Sequence, residues 1–410
     1  MKKYLLCGVL CALLIGVAGA KNTSKQTKED GKDTGAYVFT DKVLVPVTPV
    51  KDQAKSGTCW SFSGTAMAES ELLRRGKGVY DLSEMWIVRH TYLEKAIKYA
   101  RLHGKANFSE GGTLDDVVYI VDRYGIVPET VYSGLKDGAS RHSHEELSVA
   151  LKAYTDAVIG NPSKRLSASW IDGLNGILDA YLGPCPEKFV YDGKEYTPKS
   201  FAQELGIRRD DYVVFTAMTH HPLYTAFPLE IPDNWNWSPF CNVTMEELGR
   251  IVDVSLRKGY AVNWASDVSE NGFGFREGRA IVPVESAAEI PAADSARWKG
   301  LTDDEIRKRT LLKTGVLPER QITPEMRQQA FDRYETTDDH GMLLVGIAAD
   351  QHGRKFYKVK NSWGETGLYK GYFYASEPFL LYKTVGIQVH REAIPQDIKD
   401  KLGIRRPKNE

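Results

Sequence analysis

Two short stretches, residues 51–63 and 338–364, constrain this 410-residue chain more than anything between them, because each carries half of one chemical arrangement. The fold has to bring them into contact. The first reads Lys51-Asp52-Gln53-Ala54-Lys55-Ser56-Gly57-Thr58-Cys59-Trp60-Ser61-Phe62-Ser63 and leads into a proline-free run in which Phe62, Ala66, Leu72 and Leu73 recur at helical spacing. Cys59 is thus expected in the first turn of a helix, where free N–H groups and the positive end of the dipole favour thiolate over thiol, as a nucleophile requires. Gly57 lets a bound backbone come close, and Gln53 is placed to set a side-chain amide beside the Cys59 N–H and hold a developing oxyanion. A buried structural cysteine is the alternative, and the Gln, Gly-x-Cys-Trp and helix context argue against it.

The second stretch holds two β-prone runs around a turn at residues 350–353, which predicts an antiparallel hairpin. The residue just before the first strand and the residue closing the second lie at the same end of such a hairpin, so His340 and Asn361 meet. The Asn amide then orients the imidazole, which acts as general base to the thiol. Trp363 is positioned to shield that bond from water, with Asp339 as a supporting group. A lone His before a strand is usually structural, but a His and Asn paired by register in a chain that also carries the Cys59 helix are not explained that way.

Composition adds bounds. With 42% hydrophobic and 26% charged residues the chain can bury a sizeable core, and Lys+Arg and Asp+Glu are both 54, so no overall charge draws it to nucleic acid or an anionic membrane. Residues 1–20 read as a secretory signal: Lys2 and Lys3, an apolar core over 5–17, then Ala18-Gly19-Ala20. The protein is therefore expected to be exported, periplasmic or secreted, after cleavage near Ala20. A retained anchor is the alternative, but the apolar run is short for a span, and no later stretch is long enough. Cys7 and Cys11 would leave with the signal, while Cys59, Cys185 and Cys241 remain, and a Cys185–Cys241 disulfide stays open. Asn22, Asn107 and Asn242 head glycosylation sequons.

Residues 21–36 are polar and read as a flexible leader, with order beginning near Tyr37 and an extended segment over 43–47. Ser83 is a predicted cap for a helix through Ile87, Tyr92, Ala96 and Leu102, and Thr113 for a third helix bearing Leu114, Val117, Val118 and Val121 and closed by Gly125. Gly111 and Gly112 suit a loop lying against an extended peptide, although paired glycines also make ordinary turns. Residues 140–235 are less patterned and read as a large insertion with helices near 145–159 and 166–181. Its His142/His144 and His220-His221 pairs have no third ligand at a telling spacing, so no metal or cofactor is expected. A capping box at Thr244 starts a helix to about 258, a strand follows over 260–265, and Thr302 and Thr323 cap two further helices, the last reaching Thr337.

Gln53, Cys59, His340 and Asn361-Ser362-Trp363-Gly364 together resemble the papain-like cysteine peptidases. Length and inserts are most similar to the bleomycin hydrolase or aminopeptidase C branch, as are Tyr181-Leu182-Gly183, Cys185-Pro186-Glu187 and Ala265-Ser266-Asp267-Val268. The resemblance runs over about residues 43–395. It implies an α+β fold of two lobes, a helical N-terminal one and an antiparallel β-sheet or barrel C-terminal one, forming one peptidase domain over 37–395 with large helical insertions and a tail over 396–410. By this likeness Cys59 is the nucleophile, His340 the base, Asn361 its orienter, Gln53 the oxyanion-hole glutamine, and Gly111 and Gly112 bind substrate backbone. Peptide substrates, aminopeptidase action and a homo-oligomer, a hexameric ring with a C-terminal arm in the cleft, follow from it too. Endopeptidase or dipeptidyl-type cutting is the alternative, and a non-catalytic binding protein on the same fold a remote one. Two features depart from the pattern: Ser56 stands where secreted relatives carry a disulfide cysteine, and the tail is short and basic, without an apolar arm.

Overall fold

The rest of the chain is arranged around one contact, between the helix Cys59–Arg74 and the strand His340–Ala349. The structure, a computed structural model, describes residues 35–136 and 138–405. In its first half, strand β1 (Thr40–Leu44) is followed by helices α1 (Cys59–Arg74), α2 (Glu84–Arg101), α3 (Asp116–Tyr124), α4 (Glu145–Ile159) and α5 (Ser169–Leu182), a hairpin of β2 (Phe189–Tyr191) and β3 (Lys194–Tyr196), and α6 (Pro198–Leu205). Strands then enter: β4 (Tyr212–Thr216), β5 (Ala226–Pro228), β6 (Pro239–Asn242), helix α7 (Met245–Arg257), β7 (Val262–Ser266), β8 (Phe273–Gly274) and β9 (Arg279–Ala280). Helices α8 (Asp303–Leu312) and α9 (Pro324–Asp332) precede β10 (His340–Ala349), β11 (Lys355–Lys360), β12 (Tyr372–Ser376), α10 (Glu377–Lys383), β13 (Thr384–His390) and α11 (Gln396–Leu402).

Helix α1 serves two cores. Trp60, Phe62, Ala68 and Leu72 pack with α2 to α6, whereas Ala66 and Met67 pack with Trp264, Leu343 and the α7 residues Leu248 and Ile251. The sheet runs β5-β6-β4-β13-β7-β10-β11-β12-β9-β8, with β1 added beside β10. Strand β10 is buried along nearly its whole length, which is why it reads as a continuous apolar run instead of an alternating one. Its hairpin with β11 pairs Leu343 with Lys360, so His340 and Asn361 fall at one end. Arg327 on α9 donates Nε to the Ala217 carbonyl (2.7 Å) and Nη1 to the Leu381 carbonyl (2.8 Å), which fixes the element from which the chain descends to His340.

Local chemistry explains the helix starts. Ser83 accepts the Trp86 N–H (2.9 Å), and Thr244 and Thr302 form reciprocal capping boxes with Glu247 and Glu305. Thr113 does not cap α3: the Asp116 carboxylate takes the Thr113 N–H (2.9 Å), and the helix begins only at Asp116. Helix α5 starts at Ser169, later than its apolar pattern suggests, and α9 ends at Asp332, where Tyr334 turns the backbone to φ 60.

Residues 140–235 do not form a body of their own. The part through Ile207 joins the helical core, while β4 pairs with β13 inside the main sheet. Asn242 is fully buried and gives its amide to the Met218 and His221 carbonyls, so this sequon is closed to modification. Cys59, Cys185 and Cys241 are all free thiols. The described part of the tail forms α11, whose Ile398 is buried in the sheet core and whose Lys401 pairs with Glu247 (2.6 Å). The signal segment, residues 21–34 of the leader and the last five tail residues lie outside the described residues. Among the described residues no helix is long and apolar enough to cross a membrane.

Candidate active site

Cys59 is the first residue of α1 and His340 the first of β10, so the contact that organises the fold also sets these two side chains on one cleft. The Gly341 N–H donates to the Cys59 sulfur (3.3 Å). A side chain at Gly341 would meet the Trp60 Cα at 3.0 Å, so glycine is what allows strand and helix this close. His340 Nε2 lies 2.7 Å from the Asn361 Oδ1, which also accepts the Ser362 N–H (2.8 Å). An oxygen receiving both bonds makes Nε2 the protonated ring atom and leaves the lone pair on Nδ1. Trp363 stacks on the imidazole with centroids 4.7 Å apart and covers this bond.

Gln53 is held at both ends. Its Oε1 accepts the Ser362 hydroxyl (2.6 Å) and its Nε2 donates to the Ser56 carbonyl (2.7 Å), which leaves one amide hydrogen uncommitted at a cleft that Cys59 also lines. Ser56 bonds the Gln53 carbonyl (2.7 Å) and Thr58 Oγ1 (2.6 Å), so hydroxyls brace this turn.

Burial pushes the Cys59 thiol up to about 12, against the lowering pull of the Gly341 N–H and with a further raise from Asp338 and Asp233. Burial also lowers His340 to about 4, with the Asn361 bond opposing it. Burial thus works against the thiolate that the helix start favours, while the Trp60 and Gly341 N–H groups act for it.

The cleft has a volume of 960 Å³ and continues past Cys59 to a second, acidic end. Gly111 and Gly112 lie there because side chains would not fit: a Cβ at Gly111 would stand 1.9 Å from the Asp233 Oδ2, and one at Gly112 would stand 2.6 Å from the Asp116 Oδ2 and 2.8 Å from the Trp60 ring. Lys95, buried beneath, holds the loop by its bonds to the Ser109 (2.7 Å) and Gly111 (2.6 Å) carbonyls. Gly57 also lines the cleft and lets Glu110 come close, since Glu110 takes the Gly57 N–H (2.6 Å) and its Cβ would lie 2.9 Å from one on Gly57. Asp233 accepts from Asn107 (2.8 Å), and Asp116, raised to about 7 by burial, accepts from Trp235 (2.8 Å). Asp339 bonds Thr337 (2.6 Å) and the Val268 N–H (3.4 Å), which ties the approach to His340 to the end of β7. Asp338, Asp233 and Lys95 were not singled out by sequence; the signal available was the Asp338-Asp339 pair directly before His340.

Of the two histidine pairs, His144 bonds Tyr92 (3.1 Å) within the helical core. His220 and His221 gain a partner that sequence spacing hid: Glu230 lies 3.1 and 2.9 Å from their Nε2 atoms. Among the described residues these three form the one grouping with the make-up of a metal ligand set, and it lies off the cleft.

A model of the papain family cysteine protease matches residues 39–169, and a model of the peptidase C1-like family matches residues 301–407. Aminopeptidase C of Lactococcus lactis subsp. cremoris is 25% identical over 388 residues, covering 85% of this chain and 82% of that protein. Aminopeptidase G of Lactobacillus delbrueckii subsp. lactis is 23% identical, covering 95% of this chain and 91% of its own length. The crystal structure of PepW from Lactobacillus rhamnosis HN001 aligns with a TM-score of 0.66 at 20% identity, over 89% of this chain and 84% of that one.

Proposed function

We propose that this chain, a papain-like cysteine peptidase by its fold and its family matches, works as an aminopeptidase through Cys59, His340 and Asn361. The observation that carries the chemistry is the 2.7 Å bond from His340 to Asn361, made one residue before the N–H that touches the Cys59 sulfur. His340 Nδ1 takes the thiol proton as the sulfur attacks the scissile carbonyl carbon, so no preformed thiolate is required. The Cys59 N–H and the free Gln53 amide hydrogen hold the oxyanion. The imidazolium returns the proton to the leaving amine, and water, activated by the same imidazole, then hydrolyses the thioester and restores the thiol.

The exopeptidase reading is supported by the aminopeptidases that resemble the chain over most of its length. Cys59→Ala should abolish peptide hydrolysis, a loss of about 10³-fold or more. Wild-type enzyme should cleave a peptide with a free N-terminus and spare its acetylated counterpart. Equal cleavage of both rules out a free-amine requirement, and hydrolysis by the Cys59→Ala variant removes Cys59 from the reaction. Export also belongs to this reading, resting on Lys2, Lys3 and the apolar run that ends at Ala18-Gly19-Ala20. A mature N-terminus other than near Lys21 would refute it. The homo-oligomer implied by family likeness is checked by mass in solution.

A further inference from the structure

The reaction makes no use of the acidic end of the cleft. Asp338 lines the cleft and its Oδ2 is buried without a hydrogen-bond partner. Asp233 lines it too, against Gly111, with Asn107 as its close donor. Both stand near enough to Cys59 to act on its charge. The cation of this region, Lys95, is committed to two backbone carbonyls and is 1% exposed, while the buried Asp116 adds a further carboxyl behind Gly112. Carboxylates therefore outnumber the cations that face them. A buried carboxyl oxygen with no donor is costly, and burial with the carboxyls of Asp233, Asp339 and Asp116 raises Asp338 well above the ordinary carboxylate range, so a proton or a cation must complete it.

We propose that the carboxylates of Asp338 and Asp233 bind the α-ammonium group of the substrate, so that side chains inside the cleft, and not a chain terminus laid into it, make the enzyme an aminopeptidase. This rests on the peptidase reading above. With the scissile carbonyl over the Cys59 sulfur, the amine of an N-terminal residue is separated from that carbon only by Cα, so whatever reads it must stand beside Cys59. An ammonium donates three hydrogens and one charge, the complement of what the site lacks. An internal peptide would bring a neutral amide there and drive its upstream chain across two carboxylates, desolvating them without compensation. The same end thus attracts a free amine and rejects a longer chain.

The chemistry recognised is an organic ammonium, and a basic side chain of an endopeptidase substrate is its other source. The test uses the full-length enzyme, aminoacyl amide substrates with free or acetylated N-termini, and acetylated dipeptidyl substrates carrying Lys ahead of the cleaved residue. Asp338→Asn should raise KM for the free-amine substrate about 30-fold or more, with a smaller loss from Asp233→Asn. Asp338→Glu should recover part of it. Alkylation of Cys59 by iodoacetamide reports an intact site independently of any amine. A wild-type free-amine preference that persists in both Asn variants, with Cys59 still alkylated, overturns the proposal and leaves the aminopeptidase reading standing. A wild type that cleaves free and acetylated substrates alike overturns both. Preferential cleavage of the acetylated Lys substrates, lost on Asp338→Asn, assigns the carboxylates to a side-chain cation and overturns the α-ammonium assignment.

Discussion

At the Cys59 end of the cleft the side chains of His340 and Gln53 are held by paired groups, whereas at the Asp233 and Asp338 end carboxyl groups are left incompletely partnered. The imidazole has Asn361 behind it and Trp363 over it, and the Gln53 amide is fixed at both ends. Beyond Gly112 the carboxyl groups depend on one buried lysine that is already engaged. The difference separates two tasks. Bond making needs positions fixed before substrate arrives, because misplacement enters the barrier directly. Recognition of a charged group needs a vacancy of matching charge, which only the substrate fills.

Substitutions at the two ends should therefore fail in different ways. The largest effect belongs to His340→Ala, which removes the only imidazole on the cleft among the described residues and should lower kcat on every substrate by about 10³-fold. A variant that loses only KM would move the base elsewhere. Asn361→Ala frees Nε2 and the ring's orientation, and kcat should fall roughly 10- to 100-fold with KM little changed.

Gly341→Ala and Gly111→Ala put the same methyl group at opposite ends. At Gly341 it presses on the Trp60 backbone and the Ser63 Oγ, both at 3.0 Å, so helix and strand must part. Loss of about 1–3 kcal/mol in stability should accompany reduced kcat, read by thermal unfolding and kinetics together. At Gly111 it displaces the Asp233 carboxylate, and the loss should be confined to free-amine substrates, roughly 10-fold in kcat/KM. Equal loss on acetylated substrates would erase the distinction between the ends.

The burial of His340 carries a pH signature. Burial lowers His340 to about 4, so the base stays unprotonated through mildly acid solution and kcat should hold until pH approaches 4, then fall as pH drops further. An acid limb near the ordinary histidine value of about 6.5 would mean that the imidazole is more hydrated than its burial implies.

The arrangement at the Cys59 end was readable from sequence because its parts are local. Helical spacing after Cys59 starts α1, and hairpin register brings His340 to Asn361 whatever the intervening chain does. The acidic end was not, because its parts come from four separated segments, around Lys95, Gly111–Asp116, Asp233 and Asp338, and carry no periodicity. Asp233 sits in a stretch whose alternation is broken by short strands and turns, and Lys95 reads as one more charge on an amphipathic helix although it is buried. The same reason hid β4, which looks like part of an insertion until β13, from the far end of the chain, pairs with it. Thr113 failed as a cap because its Oγ1 is buried without a hydrogen-bond partner while its own N–H goes to the Asp116 carboxylate, an arrangement that residue preferences alone do not decide.

The smallest expected effect tests the comparison from outside the cleft. The family resemblance implies a C-terminal arm in the cleft, yet here the described tail folds into α11. Ile398 is buried in the sheet core, Leu402 and Ile404 pack against it, and Asp397 and Lys401 pair with Arg250 and Glu247 on α7. None of these residues lines the cleft. Truncation after Arg405 keeps all of those contacts, so melting temperature and free-amine preference should both stay at wild-type values. A truncated enzyme that begins to cleave acetylated peptides would transfer recognition of the N-terminus from Asp338 and Asp233 to the tail. Unchanged preference, with loss of preference in Asp338→Asn, would place it within the cleft wall.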